Sequence, residues 1–503
     1  MPNTLYVACG FQIASKICIC PCGCFEEVPL TRACAAGQTT QYTVETTSNS
    51  VLLSTGSFVF KQELLRIDAI GTGSFNFGLN YNASQLGSRA LGPGFQFAQN
   101  VRISRFDDGD VILDSGNFTT ETFTYDSDTG TYSSVNNNTA AELRVENLGT
   151  PIEEYLLSAS DGRVTRFFGF HASIATPGQI KTFADRYGNT MTFAWQATDG
   201  VFQLTEVTDS YGRTVHYRYY GSDKFYRLRE LQDFLGRTIT FQYDNEGRLV
   251  AVMTPVITKA AKGNEKPNGT AFVFQYDTGN PREARRNDLI RIWYPNQATS
   301  FIRRDEDGNR YVDIKAVQQQ TTPRYSVEYG QDPNQYNTWG KVLRETIGDP
   351  NPANGVGGTV LYQYITNASE LPPSIFFDPD PPETPQSRDT ITSRTTVTDR
   401  NGNITHYDFN PDGMVIRKEV VANRRKVNMV EQSYVTWTRY NEHNQELVVI
   451  EPEGNSTIHE YDDGMIPGFT EPYAKRIGLL RRTTRKSPNL NAYAERFVQT
   501  VKQ

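Results

Sequence analysis

Cysteine is nearly absent: six residues among 503, all before residue 35. Beyond Cys34 no disulfide can form, so packing and hydrogen bonds alone must hold the main body. Histidine is as scarce, and His171, His216, His406, His443 and His459 are too dispersed for a tight metal-ligand spacing. No apolar run approaches the ~18 residues of a membrane helix. The first thirty residues lack both a basic start and an unbroken apolar stretch, so neither a span nor a recognisable signal peptide is expected. Also missing are a Walker loop, G-x-S-x-G, H-E-x-x-H and any carboxylate pair in a supporting context. These absences argue against an enzyme and against a cofactor.

The formal charge is -7, a poor balance for binding phosphate backbones, and no nucleic-acid partner is expected. From Lys475 onward eight Lys or Arg face only Glu495, so the final 29 residues carry +7 and the remainder -14. A compositional break therefore lies near residue 475.

The cysteines cluster in "CICPCGC", with Cys18, Cys20, Cys22 and Cys24 at every second position. On an extended segment they share a face and could bind zinc or copper(I), although zinc sites favour C-x2-C spacing. A poorly ordered leader over residues 1–44 is the favoured reading, with disulfides and a metal as alternatives.

What the chain has in abundance is aromatic residues, 27 Tyr and 28 Phe, a bias toward strands. "DRYGNTMTFAW", "DSYGRTVHYRY" and "DFLGRTITFQY" align without gaps at a spacing of 24 residues. Asp185, Asp209 and Asp233 open them, with Gly188, Gly212 and Gly236 three residues on. Large apolar side chains follow at alternate positions: Met191, Phe193, Trp195; Val215, Tyr217, Tyr219; Ile239, Phe241, Tyr243. Period two predicts strands with one buried face. An Asp that bonds the backbone two residues on, and a Gly with positive φ, predict the reversal before each strand. "YDNEGRL" supplies a second reversal, so 24 residues hold a hairpin and two turns.

"DRNGNITHYDFNPDG" repeats the layout with Asp399, Gly402 and Tyr407, and "EPEGNSTIHEYDDG" with Gly454 and Tyr461. "DEDGNRY" begins alike at Asp305, but Asp313 and Lys315 occupy its apolar positions. His216, His406 and His459 fall on these strands and read as structural. Residues 255–270 and 346–388 are loop-rich insertions, the latter around "TVLYQYIT".

These segments resemble the YD repeats of Rhs and teneurin-type proteins, with Tyr-Asp pairs at Tyr243-Asp244, Tyr276-Asp277, Tyr407-Asp408 and Tyr461-Asp462. "VLLSTGSFVF" through "ALGPGFQF", residues 51–97, is similar to the segment preceding the repeats in bacterial Rhs and wall-associated proteins. The resemblance covers about residues 45–470. It implies a mainly β fold, stacked hairpins forming part of a spiral shell, and a non-catalytic role in enclosing or presenting a C-terminal toxin. The partners implied are a toxin cargo or a downstream shell segment, in a secreted or cell-surface setting. A cell-surface adhesin binding glycans or proteins is the alternative. The family's self-cleaving core does not follow the repeats, and the chain reads as the opening part of a shell. Its aromatic inner face would then be uncovered, and poor solubility is expected.

The tail differs. In "SPNLNAYAERFVQTVKQ" the apolar residues Leu490, Tyr493, Ala494, Phe497, Val498 and Val501 recur at helical spacing. It resembles the segment of integrases and transposases that carries the last acid of a DDE triad, which would be Glu495. Such chemistry needs three carboxylates on two metals, so DNA integration is suggested by the tail alone and a remnant is the favoured reading. The domains expected are the leader at 1–44, an N-terminal β region at 45–180, the repeat sheet at 181–470, and a basic linker with a helix at 471–503.

Overall fold

The computed structural model describes residues 5–9, 12–17, 51–69, 74–85, 90–116, 118–134, 141–159, 161–258, 265–348, 358–374, 387–422, 432–440, 446–461 and 480–484. The thiols of Cys18, Cys20, Cys22 and Cys24, the C-terminal helix and Glu495 lie outside them. Cys9 ends the strand Leu5–Cys9, which pairs with Gln12–Ile17.

The fold is mainly β. An antiparallel sheet of 22 strands runs from Ala141–Glu146 to Leu480–Thr484 with distinct ends, so it is open. Hairpin follows hairpin in chain order, with one exception: the insertion between Leu289–Trp293 and Tyr325–Tyr329. The sheet begins well ahead of Asp185, because the hairpins before it keep the strand alternation without the Asp-x-x-Gly turn. Its last strand lies in the basic stretch beyond residue 470.

The turns form as their residues dictate. Asp233 Oδ1 accepts the backbone N–H of Leu235 and of Arg237, both at 2.9 Å, while Gly236 takes φ 77°. Asp185, Asp209 and Asp399 repeat both bonds at 2.8–3.0 Å. The residue after each glycine, not singled out in the sequence, completes the turn: Arg237 Nε reaches Asp233 Oδ2 at 2.6 Å and Asn403 Nδ2 reaches Asp399 Oδ2 at 2.8 Å.

Two sequence expectations need correction. Asp305 builds the same turn, but its hairpin, Ile302–Arg304 with Arg310–Val312, stands outside the large sheet. Asp313 stands where an apolar side chain would have continued the strand. It instead caps the helix Ile314–Gln320, accepting from Ala316 N at 3.1 Å. The Tyr407-Asp408 pair is also not equivalent to Tyr243-Asp244. Asn410, not Asp408, opens that turn, accepting from Asp412 N and Met414 N at 3.0 and 2.9 Å. Asp408 is instead fully buried within its strand between Arg394, at 2.6 and 2.9 Å, and Arg417, at 2.9 Å.

A second sheet of four strands, Val51–Leu52, Ser57–Ile67, Phe75–Asn82 and Phe95–Phe97, packs on the aromatic face of the large one. Phe77 stacks edge-on against Phe241 and Tyr217, with ring centroids at 5.9 and 6.3 Å. Phe95 meets Phe274 at 5.1 Å and Phe58 meets Tyr325 at 5.5 Å. Over the strands from Thr214–Tyr219 to Tyr325–Tyr329, the face expected to be bare is therefore covered by these inner strands of the same chain. Burying two aromatic faces together is the strongest drive available to a chain with this composition.

Candidate functional site

The site that organises the molecule is the seam between these two sheets, and it is built from β-bulges. Where Tyr243 ends its strand, the partner strand carries an extra residue, so that Gln242 pairs with Ala251 and Tyr243 with Leu249. Equivalent shifts occur at Phe167, Trp195, Tyr219, Tyr276, Tyr329, Phe409 and Tyr440. A bulge removes backbone groups from the ladder, and buried backbone groups need partners.

The repeat aromatics provide them. Tyr219, Tyr243, Tyr276, Tyr329 and Tyr364 donate their hydroxyls to the carbonyls of Leu204, Leu228, Leu249, Leu289 and Val342 at 2.7–2.9 Å. Tyr440 reaches Val415 at 3.2 Å, and Trp195 Nε1 serves Ile180 at 2.8 Å. Each acceptor sits at the bulge of the preceding hairpin. Burial pushes the Tyr219, Tyr243, Tyr276, Tyr329 and Tyr364 phenols up, which keeps them protonated donors. Phe167 and Phe409 are the exceptions that fit the rule: the hairpins before them, Ala141–Glu146 with Glu154–Ala159 and Thr359–Ile365 with Ser393–Thr398, have no bulge to serve.

The N–H groups of the same bulge residues hold the inner segment. Ile180 N donates to Val101 O at 3.3 Å, Leu228 N to Ala90 O at 2.8 Å and Val342 N to Gly56 O at 2.8 Å. Leu289 N donates to the Tyr81 hydroxyl at 2.9 Å, and that hydroxyl donates to Asn287 O at 3.2 Å. One row of bulges thus clips hairpin to hairpin through carbonyls and grips the inner segment through amides. Gly92 shows how close the approach is: it has φ 92°, and a Cβ there would lie 2.6 Å from Gly247 O.

Two buried carboxylates lie along this seam. Glu345 is fully buried and its Oε2 accepts the Tyr362 hydroxyl at 2.7 Å, while Oε1 has no hydrogen-bond partner. Burial pushes its carboxyl up to about 8, outweighing the Tyr362 bond and the Arg400 charge. Asp288 is also fully buried, and burial pushes it up to about 7 against the pull of Arg285. Arg285 Nε lies 2.7 Å from Asp288 Oδ2, but the alignment is too poor for a hydrogen bond, which leaves the pair an ionic contact.

No protein-family model matches the chain, and no curated protein does. Among solved structures it is similar to a chain in the crystal structure of TcdB2-TccC3-Cdc42, at TM-score 0.33 and 11% identity, covering 86% of this chain and 22% of that one. A chain in the crystal structure of TcdB2-TccC3 gives TM-score 0.17 and 12% identity over 82% of this chain and 22% of its own. One in the Photorhabdus luminescens Tc holotoxin pore gives 0.16 and 11% over 71% and 23%. The chain spans less than a quarter of the length of these chains. At such TM-scores the likeness carries no argument about function.

Of the repeat residues read from the sequence, Asp185, Asp209, Asp233 and Asp399 and their glycines form turns, and Gly454 takes φ 80° in its own. Tyr217 and Phe241 point into the core, and Tyr407 packs against it. Tyr461 pairs with Leu480 on the last hairpin. Among the described residues no group of three or more His, Cys, Asp or Glu is arranged to hold a metal. The strand histidines are engaged structurally: His216 Nδ1 lies 3.2 Å from Glu206, His406 Nδ1 2.8 Å from Thr396 Oγ1 and His459 Nδ1 3.1 Å from Glu446 O.

The bulge row was not foreseen. Its one signal is an aliphatic residue at the bulge: Ile180, Leu228 and Leu249 open their return strands, and Leu204 lies inside Val201–Thr208. Asp233→Ala should lower stability by about 1–3 kcal/mol in urea unfolding, since it strands two amides and Arg237. Asp233→Asn should cost less than half of that, because Asn410 already serves the same turn. Equal midpoints for Asp233→Ala and the parent chain would refute this account of the turn.

Proposed function

We propose that this chain is a non-catalytic scaffold, a segment of a hairpin-built β-shell that encloses or presents another polypeptide of the toxin-cargo kind. The observation that carries the reading is the bulge row. It gives the large sheet a line of inward amides on an aromatic face, and that line already holds one polypeptide segment, residues 51–101. The YD-type turn and strand pattern supports the same reading. On this reading Glu345 and Asp288, both fully buried, belong to the packing of the seam.

The test is co-expression of the full chain with the polypeptide encoded by the adjoining DNA. A scaffold predicts co-purification and protection of that polypeptide from protease by about tenfold or more, because cleavage then requires opening of the complex. Independent migration of the two, with cleavage at the rate of the polypeptide alone, would refute it.

A further inference from the structure

The insertion that interrupts the hairpins, residues 294–324, folds on the opposite face of the large sheet. There Ala298, Ile302, Val312 and Val317 bury against Ala251, Met253, Ala271, Val273 and Trp293 as a second core. At the margin of this lobe lies a cleft of about 500 Å³ between the helix Ile314–Gln320 and the strands Ala271–Tyr276 and Leu289–Trp293. That volume suits one small molecule.

The lining is polar and contains no carboxylate. Arg291 supplies the positive charge. Its Nη1 donates to Gln275 Oε1 at 3.1 Å, and no salt bridge to it occurs among the described residues. Arg291 and Gln275 are cross-strand neighbours, which fixes them on one face. Gln318 and Thr322 line the cleft from the helix and the segment after it, and Pro323 adds an apolar edge. Trp293, 2% exposed, anchors the floor through Nε1 to Thr321 O at 3.3 Å.

We infer that this cleft binds a small polyhydroxylated carboxylate, a hexuronic acid in chemical class. A guanidinium fork matches a carboxylate in plane and charge. Two carboxamides and a hydroxyl offer both donors and acceptors, as ring hydroxyls require. The backbone of both walls is fixed, by the lobe core on one side and the sheet ladder on the other, and binding would order the exposed side chains of Arg291, Gln318 and Thr322. The inference is independent of the shell reading, because the cleft opens on the face away from the inner segment.

The experiment is calorimetric titration of the full chain with D-glucuronate, D-glucose and inorganic phosphate. Glucuronate should bind saturably, with glucose and phosphate each about tenfold weaker or more. Arg291→Gln should weaken glucuronate about tenfold or more, and Gln318→Ala about threefold, at unchanged melting temperature. Arg344→Gln, on the same sheet outside the cleft, should bind as the parent does. Failure of glucuronate to saturate, equal binding of glucose or phosphate, or parental affinity in both Arg291→Gln and Gln318→Ala would each overturn the assignment. Should Arg291→Gln melt early, the Gln318→Ala result decides.

Discussion

Tyr81→Ala is expected to destabilise the chain by about 4 kcal/mol, the largest loss from any single side chain of the inner sheet. Tyr81 is 1% exposed, its ring lies 4.9 Å from Phe95 and 6.1 Å from Phe58, and its hydroxyl is the partner of Leu289 N at a bulge. Truncation leaves a cavity in the shared core and an amide without an acceptor, and both costs fall at the point where the sheets meet. Tyr81→Phe separates the two: it keeps the packing, removes the hydroxyl, and should cost about 1–2 kcal/mol. Urea unfolding followed by tryptophan fluorescence gives both values. Tyr187→Ala, at a residue 71% exposed on a hairpin tip, should stay within about 0.5 kcal/mol of the parent. If Tyr81→Phe also left the midpoint unchanged, the seam would owe nothing to the bulge amide.

The second expected result concerns pH and runs opposite to ordinary acid denaturation. Burial raises the folded-state pKa of Glu345 to about 8 and of Asp288 to about 7, from ordinary values of 4.5 and 3.8. A carboxyl whose folded pKa is raised contributes its full stabilisation below the unfolded pKa and loses it as pH climbs toward the folded one. Stability should therefore fall between about pH 4.5 and 8, most steeply where both groups titrate, below about pH 7. Glu345→Gln keeps an acceptor for Tyr362 and cannot ionise. The variant should match the parent near pH 4.5 and exceed it at pH 8 by an amount on the order of 4 kcal/mol. Unfolding midpoints at pH 5, 6, 7 and 8 test this. A parent and variant that keep a constant difference across that range would mean that burial does not raise the Glu345 carboxyl and that the folded chain already carries it ionised at pH 5.

Much of this molecule was legible in its residue order, for a local reason. Asp233, Gly236 and the alternation Ile239, Phe241, Tyr243 specify a turn and a strand within eleven residues, and such information survives in any surroundings. Where that code failed it also failed visibly: Asp313 at an apolar position marks the hairpin that leaves the sheet. The Tyr407-Asp408 pair shows the limit of reading by words. The letters recur, but the turn has moved to Asn410, and Asp408 became a buried acceptor for two arginines. The candidate site was far less legible. Nothing in "VLLSTGSFVF" states that its sheet lies against strands two hundred residues later, and Glu345 reads as one more alternating polar residue until the fold buries it against the Tyr362 hydroxyl.

The residue order alone settled what each 24-residue unit does, because backbone turns and strand alternation depend on neighbours a few positions apart. Tertiary structure decided what those units are for. The covering of the aromatic face by the inner strands, the double use of the bulge residues Ile180, Leu228, Leu289 and Val342, and the raised carboxyls of Glu345 and Asp288 arise only when distant segments exclude water together. Burial is a property of the assembled sheets and of no segment within them.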